Sequence, residues 1–180
     1  IIGIMLSVAL ITAVVTMYSS MISSLIKFET HEKGDFHAAF YNVPMDKVKE
    51  LQNNRKIQEV FLTQNIGYAK LENCKNEYKP YAFVKAFTKK SLDNLSVKLV
   101  EGRLPENENE IVIPTHLKTN GRIILNVGDN ITLNVGTRVS EGQELNQKNE
   151  FNKENSEEII NTKAKTYKIV GIIERPASNI

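Results

Sequence analysis

The sequence predicts an α+β protein, with one long apolar helix at the N-terminus followed by a polar, strand-rich domain. Three observations carry this. Ile1 to Ile26 holds no charged residue and is built mostly from Ile, Val, Leu, Met and Ala. From Lys27 onward the composition turns polar and stays so to Ile180. Within that polar part, short apolar runs recur between Gly, Pro, Asn and Asp, the pattern of strands and turns.

The apolar run is taken first. At about 1.5 Å rise per residue it is long enough to cross a hydrocarbon core of about 30 Å with some tilt. A signal peptide would open on basic residues, carry an apolar core of about 7–15 residues and end on a small-residue cleavage site. Here the basic start is missing, the run is too long, and Ser19-Ser20-Met21 fits the cleavage pattern poorly. A buried core helix apolar all round needs a large protein about it, and the remaining chain is too polar. The expectation is a membrane span. The chain opens on Ile1 with no Lys or Arg ahead of the run, as expected of a fragment that begins inside the helix, so the positive-inside rule has no flank to act on. Ser19, Ser20, Ser23 and Ser24 interleave with Met21, Ile22, Leu25, Ile26 and Phe28 at helical spacing. The helix is therefore expected to continue as a stalk to about Lys33, with Gly34 as its stop. Residues 1–33 form the first segment.

Roughly 150 residues remain, the size of one ordinary domain or two small ones. A net charge of +2 with scattered lysines excludes a nucleic-acid partner as the reason for the composition. One cysteine, Cys74, excludes an internal disulfide framework.

Asp35 to Val43 alternates in part and reads as a strand. Asp46 with Val48 and Leu51 gives a short amphipathic helix ended by Asn53-Asn54. Ile57 to Leu71 and Tyr81 to Phe87 read as a hairpin around a polar turn at Glu72–Asn76, and Ser91 to Asn94 as a helical turn. Residues 34–96 are thus a β-α-β-β unit. In residues 97–180, Glu110–Pro114, Ile131–Val135 and Thr166–Glu174 read as strands. Val127-Gly128-Asp129-Asn130 is a tight turn, and Gly171 marks a bulge or a close backbone approach. Gly136 to Lys163 is rich in Asn, Gln, Glu and Lys and is expected to be a long mobile loop.

No phosphate-binding Gly-rich loop, G-x-S-x-G, Cys-x-x-Cys or His-Glu-x-x-His is present. His31 and His37 lie near Glu29, Glu32 and Asp35, but a six-residue spacing suits metal ligation on neither a helix nor a strand. His116 stands alone, and Cys74 sits in a polar turn with nothing in the sequence to depress its pKa. Glu106, Glu108 and Glu110 alternate without a second acid of different environment, so they read as a solvated turn. The expectation is a membrane-tethered binding or mechanical domain with no catalytic, cofactor or metal residues.

An ordered set of segments carries a further expectation. Val100-Glu101-Gly102-Arg103-Leu104-Pro105 is followed by Asn109-Glu110-Ile111-Val112-Ile113. Then come Val127-Gly128-Asp129 with Ile131-Thr132-Leu133, and Tyr167-Lys168-Ile169-Val170-Gly171-Ile172-Ile173-Glu174. This series resembles the Gram-positive branch of the permease subunits of FtsX-like and MacB-like (type VII) ABC transporters. The resemblance implies a cell-membrane protein whose first helix continues outward as a stalk to an extracytoplasmic domain. That domain would have a βαββ porter-like lobe, begun by 34–96, and a mostly β inserted lobe at 97–180. It implies a non-catalytic subunit acting by mechanotransmission, with a cytosolic ABC ATPase, a second permease subunit, the lipid bilayer and an extracellular peptide, lipid or protein as partners, and no cofactor. The alternative is a single-pass membrane receptor or sensor with an extracellular ligand-binding domain.

Overall fold

The computed structural model describes residues 2–33, 36–94, 97–154 and 156–174. They fall into two compact units, one ending at Asn42 and one covering Val43–Pro176.

The first unit is dominated by helix α1, Ile2–Lys33, 32 residues without a break. It is long and apolar enough to cross a membrane from Ile2 to Thr30, and its apolar window is not buried among the described residues. Its few hydroxyls are absorbed locally. Ser7 Oγ donates to the Gly3 carbonyl at 2.9 Å and Thr12 Oγ1 to the Val8 carbonyl at 2.8 Å. Each bond closes a polar group onto the preceding turn, so neither hydroxyl needs water or a neighbour. The strand expected over Asp35–Val43 does not form in the described part of that stretch: 36–44 has no regular structure. Phe36, Phe40 and Tyr41 are exposed there. Alternation makes a strand only where a second strand supplies backbone partners, and this segment has none among the described residues. Asp35 lies outside them.

The second unit opens with α2, Met45–Gln52, which buries Val48. Strands β1 (Thr63–Lys70) and β2 (Tyr81–Phe87) follow as an antiparallel hairpin, so 57–62, expected to be strand, stays outside the ladder. Then come α3 (Lys89–Asn94), β3 (Leu99–Gly102), β4 (Glu110–Pro114) and the single turn α4 (His116–Thr119). Strands β5 (Asn130–Ser140), β6 (Gln143–Glu144) and β7 (Glu157–Ile173) complete one seven-stranded sheet. Its order is β2-β1-β5-β7-β3, with β4 paired to β7 and β6 to β5. The expected boundary at 96/97 does not coincide with a break in this sheet, because β1 pairs with β5 through Tyr68 with Gly136 and Ala69 with Val135.

The expected loop over 136–163 is corrected most. β5 runs on to Ser140 and β7 begins at Glu157, and the two stay paired from Asn130 with Lys168 to Ser140 with Glu157. Among the described residues of that stretch, only the 141–142 turn, 145–154 and 156 lie outside strands. The polar composition is that of a ribbon exposed on both faces over Asn161–Ala164, where backbone pairing, not apolar burial, holds the chain.

The core gathers Ala69, Val84, Leu133 and Val135, with Ile111, Ile131 and Tyr167 packed against them. At its margin the ladder slips by one residue between Val135 and Thr137. A Cβ on Gly136 would overlap the Ile160 carbonyl oxygen and press on the Ile159 side chain. Gly136→Ala is therefore expected to destabilise the fold by about 1–3 kcal/mol, as other overpacking substitutions do. Urea unfolding of the chain in detergent, followed by circular dichroism of the sheet, measures it.

Candidate functional site

The four segments that recur in the ordered series meet on one strand. β7 over Lys168–Ile173 pairs antiparallel with β3 and parallel with β4. The Gly128-Asp129 turn adds to it: the Gly128 amide donates to the Ile169 carbonyl, and the Ile169 amide to the Asp129 carbonyl, both at 2.8 Å. Gly102 lies opposite Gly171, and a Cβ on either would collide with the facing backbone. Gly102 also holds φ +77°, a conformation open to glycine at little cost. Two glycines are thus what lets β3 approach β7.

Arg103 emerges from this crossing, its amide bonded to the Val170 carbonyl at 2.9 Å. Its guanidinium grips Glu110 with both arms, Nη1 to Oε2 at 2.7 Å and Nη2 to Oε1 at 2.6 Å. The Glu106 amide donates to the same carboxylate at 2.9 Å. Arg103 and then the Glu106 amide hold the Glu110 carboxyl down at about 2. Glu110 is therefore the clasp of the Leu104–Asn109 turn, which corrects its assignment to a solvated row. Glu106 stands 3.8 Å from Arg103 and Glu108 3.9 Å from Lys165, both largely exposed.

A second clasp is buried. Arg138 on β5 and Glu157 at the start of β7 pair through Nε–Oε2 at 2.6 Å and Nη2–Oε1 at 3.0 Å, with 6% and 2% of their side chains exposed. Two of the three remaining guanidinium protons reach the carbonyls of Asn149 at 3.0 Å and Glu150 at 3.2 Å. The Asn152 amide donates to Glu157 at 3.2 Å. The rings of Tyr81 and Tyr68 lie 5.5 and 5.9 Å from the guanidinium carbon, and Phe151 meets Tyr81 edge to face. Lys153 forms an ion pair with Glu77 and lies over the Tyr78 ring. The 145–156 segment is thus fastened at several points, and the same pair drives the Glu157 carboxyl below its usual range.

The other residues singled out from sequence are not brought together. His37 is exposed in the first unit, and His116 opens α4 in the second. The His31, Glu32 and Asp35 side chains lie outside the described residues. Cys74 is half-buried, its Sγ 3.7 Å from the carbonyls of Asn76 and Lys79. Among the described residues no three His, Cys, Asp or Glu side chains gather as a metal site. Each carboxyl with a displaced pKa among them (Glu77, Glu110 and Glu157) is displaced downward by a cation. A general acid at neutral pH needs the opposite. Burial raises the phenols of Tyr68, Tyr81 and Tyr167 and lowers the Lys85 ammonium. A shallow cleft of about 280 Å³ is lined by Lys89, Leu92, Leu99, Arg103, Leu104 and Pro105, just below the roughly 300–1,000 Å³ of typical ligand pockets.

Sequence reasoning found the motif segments but not the clasps. Arg103 and Glu110 are seven apart across a turn, a separation that signals nothing until the turn closes. Arg138 and Glu157 fell inside a stretch read as loop.

No family model matches this chain, and no curated protein matches it.

Two outcomes follow from the clasps. Glu157→Gln leaves Arg138 buried without its counter-charge and is expected to cost about 3 kcal/mol or more, read as a lower urea midpoint. For Glu110 the folded pKa of about 2 lies below the ordinary 4.5. Its stabilisation is full above the ordinary value and lost as pH falls toward the folded one. Glu110→Gln should therefore flatten the fall in stability between those two pH values and leave the rest of the profile in place.

Proposed function

We propose that this chain is the first membrane helix and outer domain of an FtsX-like or MacB-like ABC transporter permease. In this role it is a non-catalytic subunit in the cell membrane with its second unit extracytoplasmic. Its work is to couple ATP hydrolysis on a separate cytosolic ATPase to an extracellular peptide, lipid or protein, beside a second permease subunit. The porter-like and inserted β lobes of that family are part of the same proposal.

One observation carries it. α1 passes without a break from the apolar run into the charged stretch that starts at Lys27. Its 32 residues span about 48 Å at 1.5 Å each, against a hydrocarbon core of about 30 Å. A helix that outruns the bilayer in one piece is suited to carry displacement, because its backbone is satisfied internally both in lipid and beyond it. The glycine-dependent convergence of the four family-like segments on β7 supports the same reading.

The test acts on the stalk. Inserting Gly-Gly-Gly after Ser23 costs about 1 kcal/mol of helix stability per glycine relative to alanine and makes a hinge. Inserting Ala-Ala-Ala changes length and facing but keeps the rod. In the whole permease with its ATPase, transport or resistance per ATP hydrolysed is expected to fall in the glycine variant, with hydrolysis and assembly intact. Equal coupling in the glycine variant and the unmodified protein would make the helix a tether and favour a receptor or sensor.

A further inference from the structure

The main run of strands, with β4 and β6 paired off it, ends at β3 and at β2, and the protein treats these two ends differently. At the β3 end the strand has four residues, slips register between Leu99 and Glu101, and runs into Gly102 and, soon after, Pro105. Short length, irregularity and proline are the usual means of blunting an edge. At the other end stands β2, seven residues long. Its sequence Tyr81-Ala-Phe-Val-Lys-Ala-Phe87 has no proline, no glycine and a single charge. Among the described residues its backbone ladder pairs with β1 alone. Its outer row of backbone N–H and C=O groups is a template for another strand.

The composition of that strand says which one. Laid antiparallel to itself about Val84, the segment is self-complementary. Tyr81 faces Phe87, Ala82 faces Ala86, Phe83 faces Lys85, and Val84 faces its own copy. On one face of the pair each aromatic end meets an aromatic end, and on the other Ala82 and Ala86 flank the paired Val84 residues. The one cation never meets itself. Each Lys85 instead lies opposite a Phe83, repeating across the dyad a contact that exists within the chain, where Lys85 Nζ is 5.8 Å from the Phe83 ring centroid. We propose that β2 is a docking edge for a second copy of this chain, joined as an antiparallel β2–β2 pair on a two-fold axis at Val84. Such a contact is isologous and closes on itself, so it ends at two copies and does not grow into a fibre. Seven residues a side is well short of the roughly 20–30 of a stable interface, so the pair is weak in dilute solution and forms where chains are concentrated. This goes beyond the permease reading, because edge pairing needs neither a transporter nor an ATPase.

The test is a register-specific cross-link, made in the full chain carrying Cys74→Ser and concentrated in detergent micelles. In the proposed register Ala82 of one copy lies directly opposite Ala86 of the other, about 4.5–5.5 Å from Cβ to Cβ, so that a small local adjustment brings the pair to the roughly 3.5–4.5 Å of a disulfide. Ala86 and its own copy are offset by four residues, about 13 Å along the strand, which is out of reach. Under mild oxidation the Ala82→Cys/Ala86→Cys variant is expected to give at least tenfold more covalent dimer than either single variant. Equal yields in all three, or no dimer from a double variant whose circular dichroism is unchanged, would overturn the proposal. Should the double variant lose its sheet signal, a nitroxide on Ala86→Cys alone decides, since Ala86 is exposed. An inter-spin distance below about 25 Å supports the pair, given the strand offset and two flexible tethers, and absence of any short distance refutes it.

Discussion

The buried pair of Arg138 and Glu157 is the contact on which most of the second unit depends. Two charges taken out of water cost several kcal/mol each, and attraction repays this only when the geometry is close and the remaining protons find acceptors. The two side chains meet with both arms, and two of the three guanidinium protons left over are taken by the Asn149 and Glu150 carbonyls. Because these acceptors belong to the connection between β6 and β7, the pair fixes at once the base of a long hairpin and the course of the loop that closes it. The aromatic rings of Tyr68 and Tyr81 then place β1 and β2 against the same cation. A single arginine on β5 thus ties together β1, β2, β7 and a loop, beside the small apolar core that the same strands build.

β7 is the second organising element. Its first half is the partner of β5, and its second half receives β3, β4 and the Gly128-Asp129 turn. The two halves differ in burial accordingly. Asn161–Ala164 is exposed residue after residue, while Ile169, Val170 and Ile173 are buried. One strand therefore serves as a solvent-facing ribbon and as a core strand, and the change occurs where the antiparallel pairing gives way to the parallel strand. Arg103 and Glu110 close the turn that carries β3 into β4, so the more exposed clasp guards the more buried half.

This division of labour suits a domain that transmits or holds, as proposed above. Stability rests on hydrogen-bonded charge pairs and backbone ladders, with a core of few side chains. Such contacts are directional, and they resist shear better than a small apolar cluster, whose attraction has no preferred direction.

Much was legible in the sequence. The long apolar helix follows from Ile1–Ile26 alone, because twenty-odd residues without a charge allow few structures. The α2 helix, the β1–β2 hairpin, β4 and the start of β5 follow from local periodicity and turn residues, which act over a few positions. Gly171 announced a close approach, and Gly102 opposite supplied its partner. What only the tertiary structure decided is of another kind. Whether 36–44 is a strand depends on a neighbour that the alternation of Phe36, Ala38 and Phe40 cannot summon. Whether 136–140 and 157–163 are loop or ladder depends on a pairing between residues about twenty apart. Arg138, Glu157, Arg103 and Glu110 each look like solvated charges until the chain folds them together. Composition records how much apolar surface a segment can bury. It does not record which distant backbone or counter-charge a segment will meet, and in this protein those meetings hold the sheet together.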